Sequence, residues 1–207
     1  MMLYGLDAQA VLFDCDGVLV DSEPVSFLAW SHALAAHGYT LDESDFAESV
    51  GGTETMVALR FAPEIGVDAA ALELEAREVF RRLAPMAQAF RDTLALVGRL
   101  EAQLVPVAVA TNGLRWRLDV LLGAVGLGRL LPFSVTSDEV ARPKPAPDLY
   151  VAAAELAGTE PDRCVVLEDS PTGVAAAKAA GCLVVAVDRG MFDRSRLHAA
   201  DVVVERV

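Results

Sequence analysis

Asp14 and Asp16 stand two residues apart, directly after the apolar run Ala10 to Phe13 and directly before Gly17. Two carboxylates crowded into one small volume repel each other unless a cation or a shared proton relieves them. Mg²⁺, which takes carboxylate and carbonyl oxygens, is the natural relief. Other apolar runs in the chain also end on polar residues. Thr111 and Asn112 follow Val105 to Ala110; Lys144 lies in the segment Arg142 to Asp148; Glu168 and Asp169 follow Cys164 to Leu167. These residue types suit phosphoryl transfer. Asp14 can attack phosphorus as a nucleophile. Asp16 can protonate the leaving oxygen and later take a proton from water. Thr111 and Asn112, with the amides that open the next helix, can bind phosphoryl oxygens. Lys144 adds a fixed positive charge against the carboxylates and the developing charge on phosphate. Mg²⁺ would take Asp14, Asp169 and the main-chain carbonyl of Asp16, with Glu168 beside or among its ligands.

Such a set works only if one scaffold brings its members together. Each apolar run is short and continuous, as expected of a strand buried on both faces in a parallel sheet. Helical segments of about ten residues separate the runs from residue 89 onward, which implies right-handed βαβ units with helices on both faces. In such a sheet the carboxyl ends of all strands share one edge, where ligands bind. Residues 18–88 read differently. Ser22 is a candidate helix cap, Gly51-Gly52 a break, Thr53 a second cap, and Leu72, Ala76, Val79, Phe80 and Leu83 form one helical stripe. The segment reads as four helices with no strand. The expected organisation is an α/β core of residues 1–17 and 89–207, a doubly wound, Rossmann-like parallel sheet. An all-α cap of residues 18–88 is inserted after the first strand.

The chain has 207 residues, 54% hydrophobic, and a formal net charge of −13. That fits a moderate globular unit with a full core. The negative charge argues against nucleic acid or an anionic membrane as partner. An anionic substrate must be drawn by local features. Cys15, Cys164 and Cys182 have no metal or redox spacing and read as apolar core residues in a reducing compartment, so the expected location is cytoplasmic. The expected oligomeric state is a monomer or a weak homodimer. Lys144 is one of only two lysines, and the other, Lys178, reads as helix surface. Trp30 and Trp116 read as packing residues.

The four segments together resemble the haloacid dehalogenase superfamily, in its phosphatase and β-phosphoglucomutase-like branch with a helical cap. Asp14-Cys15-Asp16-Gly17-Val18 looks like motif I and Thr111-Asn112 like motif II. Lys144 looks like motif III, and Glu168-Asp169-Ser170 like motif IV, with Gly173 and Gly181 after it. The resemblance implies Mg²⁺-dependent turnover through an aspartyl-phosphate on Asp14, with a cap that opens and closes over the substrate. Within the superfamily, dehalogenases lack the second aspartate. Phosphonate hydrolases need a cap lysine, and residues 18–88 contain none. Mutases must hold a second phosphate. The segment Gly51-Gly52-Thr53-Glu54-Thr55 stands where β-phosphoglucomutase carries basic side chains and has none, although Arg60 could reach in. The expectation is a phosphoric monoester hydrolase acting on a small sugar or sugar-acid phosphate, with Gly52 and Thr53 as cap contacts. A sugar phosphomutase is the alternative. A receiver-like phospho-accepting switch is the alternative of another class. It would have no insert and no second aspartate.

Overall fold

The computed structural model describes residues 1–47, 49 and 53–207. At the N-terminus β1 (Met2–Leu3) and β2 (Leu6–Asp7) pair as an antiparallel ribbon ahead of β3 (Ala10–Phe13). After β3 the chain forms β4 (Val20–Asp21) and then α1 (Glu23–Ala35), α2 (Glu43–Ala47), α3 (Glu54–Ile65) and α4 (Ala69–Leu83). It returns through β5 (Gln88–Ala89) and α5 (Arg91–Ala102). The rest alternates: β6 (Val107–Thr111), α6 (Arg115–Ala124), β7 (Ser134–Thr136), α7 (Asp148–Leu156), β8 (Cys164–Glu168), α8 (Pro171–Ala179), β9 (Leu183–Val187) and β10 (Val202–Val204).

The central sheet has the strand order β10-β9-β8-β3-β6-β7, and every pair in it is parallel. Side chains alternate between its faces, because successive residues of a strand point to opposite sides. Val11 and Phe13 of β3 join one apolar cluster with Leu96 and Leu100 of α5 and Leu118 and Leu121 of α6. Ala10 and Leu12 join the other, with Leu149 and Tyr150 of α7 and Val174 and Ala177 of α8. Both faces of the sheet are therefore covered, which is why its strands read as continuous apolar runs.

The helices between β4 and β5 bury a core of their own. Leu34 of α1, Phe61 of α3, and Leu72 and Ala76 of α4 meet in a third cluster. Phe80, further along the α4 stripe, and Ala84 just past the helix join the sheet cluster and seat the insert on the core. Asp68 and Thr53 cap α4 and α3 by accepting the amides of Ala71 and Met56. Ser22 precedes α1, but its side chain caps nothing there.

One expectation needs correcting. The stretch 18–88 is not free of strands, since β4 and β5 pair antiparallel, Val20 with Ala89 and Asp21 with Gln88. Two-residue strands carry no periodicity that a sequence could display. They form because the outgoing and returning chains run side by side and satisfy each other's backbone groups.

Candidate active site

Chain order places the site. From β3 the chain runs outward to β6 and β7, then crosses back to β8, β9 and β10 on the other side. The reversal falls between β3 and β8, where an open α/β sheet leaves a crevice beyond its carboxyl ends. Asp14 follows the last residue of β3, and its amide donates to the Leu167 carbonyl on β8 (3.0 Å). Glu168 closes β8 and Thr111 closes β6. Lys144 arrives from the loop after β7. That loop is fixed by Asn112, whose Oδ1 accepts the Lys144 amide (2.9 Å) and whose Nδ2 donates to the Lys144 carbonyl (3.3 Å).

Lys144 Nζ donates to Asp14 Oδ1 (2.6 Å) and Glu168 Oε1 (2.7 Å). Glu168 is fully buried, and its two oxygens accept five hydrogen bonds. Lys144 and the Tyr150 hydroxyl serve Oε1. The amides of Asp169 and Ser170 and the Ser170 hydroxyl serve Oε2. Burial pushes the Glu168 carboxyl up, but Lys144 and these donors outweigh it and hold it below its ordinary value. Asp14 has only Lys144 in its favour. Burial raises its carboxyl to about 7 against that ammonium, and the charges of Glu168 and Asp16 add to the rise.

Gly173 explains how Glu168 is packed. A Cβ at this position would lie 1.6 Å from Glu168 Oε1. With five hydrogen bonds on it, that carboxylate cannot step aside. Gly173→Ala is expected to cost about 3 kcal/mol, read as a lowered urea midpoint; an unchanged midpoint would show that Glu168 is not fixed. At Gly17 two demands coincide. Its φ is +77°, and a Cβ would sit 1.8 Å from Asp169 Oδ2.

The donor set suits a divalent cation. Asp14, Glu168 and Asp169 each place one carboxylate oxygen within 4.8 Å of the others. Glu168 has its oxygens filled by protein donors. The Asp169 side chain takes part in no hydrogen bond or ion pair among the described residues. Its carboxyl is pushed well above the ordinary range by burial, then by Glu168 and Asp14. Asp169 pairs with no cation among the described residues, and Asp14 shares one ammonium with Glu168, so the group lacks positive charge. Asp14 and Asp169 are therefore the free oxygen donors; the side chain of Asp16 is used elsewhere.

Asp16 Oδ1 accepts from Arg117 Nη2 (2.8 Å) and, closely, from the Ser22 hydroxyl. This is where the side chain of the expected helix cap goes. Burial pushes the Asp16 carboxyl up, but Arg117 and Ser22 outweigh it and hold it below the ordinary value. In this arrangement Asp16 is the ionised, proton-accepting form. To donate a proton it must turn away from the guanidinium.

Arg117 was not among the residues picked out from the sequence. It sits on the first turn of α6, only 9% exposed, with Nη2 also donating to Ser26 Oγ (2.9 Å). Its guanidinium lies 4.2 Å from the centre of the Phe80 ring. One signal was available. Arg117 is four residues before Leu121 and one before Leu118, on the buried stripe of α6.

A cavity of about 240 Å³ opens above these residues, walled by the core on one side and the insert on the other. Asp14, Asp16, Thr111, Asn112, Lys144, Glu168, Asp169 and Thr53 all line it. The Thr111 hydroxyl accepts the Gly113 amide (2.9 Å), which orients it at the start of the loop before α6. Gly52, expected as a cap contact, lies outside the described residues. Arg60 does not line the cavity; it donates to the Asp45 carbonyl (2.7 Å) and lies over the Phe61 ring. Trp30 is buried in the insert's core and also lines the cavity, whereas Trp116 packs edge-on against Phe80. Glu23, Glu54 and Arg189 line it as well and were not singled out from the sequence.

Comparison with known proteins points to one family. Residues 8–181 match the family model described as haloacid dehalogenase-like hydrolase. Hexitol phosphatase A of Escherichia coli (strain K12) is 34% identical over 195 residues, covering 93% of this chain and 88% of the relative. Validoxylamine A 7'-phosphate phosphatase of Streptomyces hygroscopicus subsp. limoneus is 32% identical over 200 residues, covering 95% and 93%. Among solved structures, CbbY from Rhodobacter sphaeroides in complex with phosphate superposes with a TM-score of 0.87 at 25% identity, covering 96% of this chain and 94% of that one.

Proposed function

The chain belongs to the haloacid dehalogenase-like hydrolases and is a phosphoric monoester hydrolase, and from that premise we propose that it is Mg²⁺-dependent and works through an aspartyl-phosphate on Asp14. The observation that carries this reading is the Lys144 bridge between Asp14 and Glu168, beside an Asp169 carboxylate with no partner among the described residues. Lys144 steers Asp14 Oδ1 and leaves its other oxygen to attack phosphorus. The P–O bond to the leaving group then breaks, and Asp16, once it has turned from Arg117 and taken a proton from solvent, gives that proton to the leaving oxygen. Asp16 next takes a proton from water, which attacks the phospho-aspartate and frees phosphate. Thr111 and Asn112 border the phosphoryl site, and Lys144 offsets its charge. Asp14, Asp169 and the carbonyl of Asp16 would hold Mg²⁺, with Glu168 positioning Lys144 and the loop that carries Asp169. When bound, the cation would neutralise the phosphoryl oxygens.

The proposed substrate is a small sugar or sugar-acid phosphate, in keeping with the named relatives and with the cavity's size. Residues 1–17 and 89–207 are the proposed catalytic core and 18–88 the proposed cap, which swings on the β4/β5 ribbon and shuts out water when closed. Free, buried Cys15, Cys164 and Cys182 support a cytoplasmic location. No helix among the described residues is long and apolar enough to cross a membrane.

Phosphate release from a panel of phosphorylated metabolites, with Mg²⁺ and with EDTA, tests the reading. Many phosphates per chain with Mg²⁺ and none with EDTA is the expected result. One phosphate held per chain from acetyl phosphate would instead mark a switch. The cation must also compete with protons, because Asp14 titrates near 7. Mg²⁺ affinity by calorimetry is therefore expected to be weaker at pH 6 than at pH 8. Equal affinity at both would remove Asp14 from the ligand set.

A further inference from the structure

We propose that Glu54, with Glu23 lining the same cavity, makes this cavity select a phosphomonoester whose leaving group is a neutral polyol or an amino sugar, and reject one carrying a second anionic group. The inference rests on the phosphatase reading and narrows its substrate class.

Glu54 opens α3 on the insert side of the cavity. Both its carboxylate oxygens are buried and take no hydrogen bond from another of the described residues. Its nearest cationic atom is Arg117 Nη1 at 3.6 Å, beyond hydrogen-bonding distance. Arg117 is already committed to Asp16 and Ser26. Glu23 opens α1 and lines the same cavity, and its carboxylate takes no hydrogen bond among the described residues. Burial first, and then the charge of Asp16, raises its carboxyl to about 7.

Buried acceptors without donors are rare because leaving them unmade is costly. A substrate can supply the missing donors. Hydroxyl groups and an ammonium donate protons; a phosphate dianion or a carboxylate does not. The cations lining the cavity have none to spare for a distal anion. Arg117 faces Asp16 and Glu54, and Lys144 bridges Asp14 and Glu168. Arg189 grips Asp92 with two hydrogen bonds (2.9 and 3.1 Å). A second phosphate would meet Glu54 and a partly ionised Glu23, and no free guanidinium among the described residues, a like-charge contact that works as rejection. Trp30, Phe46 and Val57 line the same cavity and offer apolar surface to the C–H groups of a polyol.

The test compares kcat/KM on glucitol 6-phosphate and glucosamine 6-phosphate with that on 6-phosphogluconate and fructose 1,6-bisphosphate. Acetyl phosphate, which has no polyol, reports the phosphatase reading separately. The wild type is expected to favour the first pair about ten- to a hundredfold, the range of a hydrogen bond to a charged group. Glu54→Arg should shrink or invert that ratio, and Glu54→Gln, which keeps the shape, should shrink it. The specificity proposal fails if the wild type turns over acetyl phosphate yet does not favour the first pair. It fails too if neither folded variant changes the ratio. No turnover of any compound, acetyl phosphate included, overturns the phosphatase reading and this proposal with it.

Discussion

Asp14→Asn lowers phosphate release by at least about ten-thousandfold, the scale on which a removed nucleophile is felt. The carboxamide keeps the shape and an acceptor for Lys144 but cannot attack phosphorus. The fold should not suffer. The carboxyl of Asp14 titrates at about 7 in the folded chain, above its ordinary value of 3.8. Folding therefore favours the protonated form, and ionised Asp14 increasingly destabilises the fold as pH rises from about 4 to 7. At pH 8 without metal, the asparagine variant should melt at or above the wild-type temperature. Activity lost with stability kept identifies a catalytic group. Substantial residual turnover would sink the nucleophile assignment.

Lys144→Met produces the largest stability loss expected here. The Lys144 side chain is 4% exposed, and its ammonium is the countercharge for both Asp14 and Glu168. Removing one partner of a buried ion pair leaves an uncompensated charge, at about 3–5 kcal/mol. The loss has a signed pH dependence. Lys144 is the leading influence holding the Glu168 carboxyl down against burial. Without it, protonation becomes the remaining way to neutralise that carboxylate. The deficit relative to wild type should shrink as pH falls from 8 to 5. Urea unfolding at both values measures it, and a loss below about 1 kcal/mol would show that the ion pair does not support the core.

What could be read in advance follows from how local each signal is. β3, β6, β8 and β9 are buried on both faces, so each appears as an unbroken apolar run. The polar residue after such a run falls at the carboxyl edge because parallel sheets share that edge. Asp14, Thr111 and Glu168 were legible for this reason. Arg117 was not. In Arg115-Trp116-Arg117 it looks like one of two similar surface charges. Only the packing of Phe80 and Ser26 from the insert makes it the buried partner of Asp16. Glu54 was read only as part of a loop lacking basic residues. Its importance lies in taking no hydrogen bond from another of the described residues, which depends on its neighbours in space. Ser22 departs from its expected use for a related reason. A serine ahead of a helix normally caps it, but Asp16 lies close enough to take that hydroxyl.

The β4/β5 ribbon has a consequence for what this core tolerates. Val20 pairs with Ala89 and Asp21 with Gln88, and the Phe90 amide donates to the Leu19 carbonyl (3.0 Å). The chain thus departs and returns as neighbours. Closing a loop whose ends already touch costs entropy that grows only with the logarithm of its length. The scaffold is nearly indifferent to whether a short turn or a whole bundle hangs from that pair of strands. Helices can be added, lost or exchanged there without disturbing the strand order beneath them. Such an exchange must keep Ser22, Ser26 and Phe80, the insert residues that pack on Asp16 and Arg117.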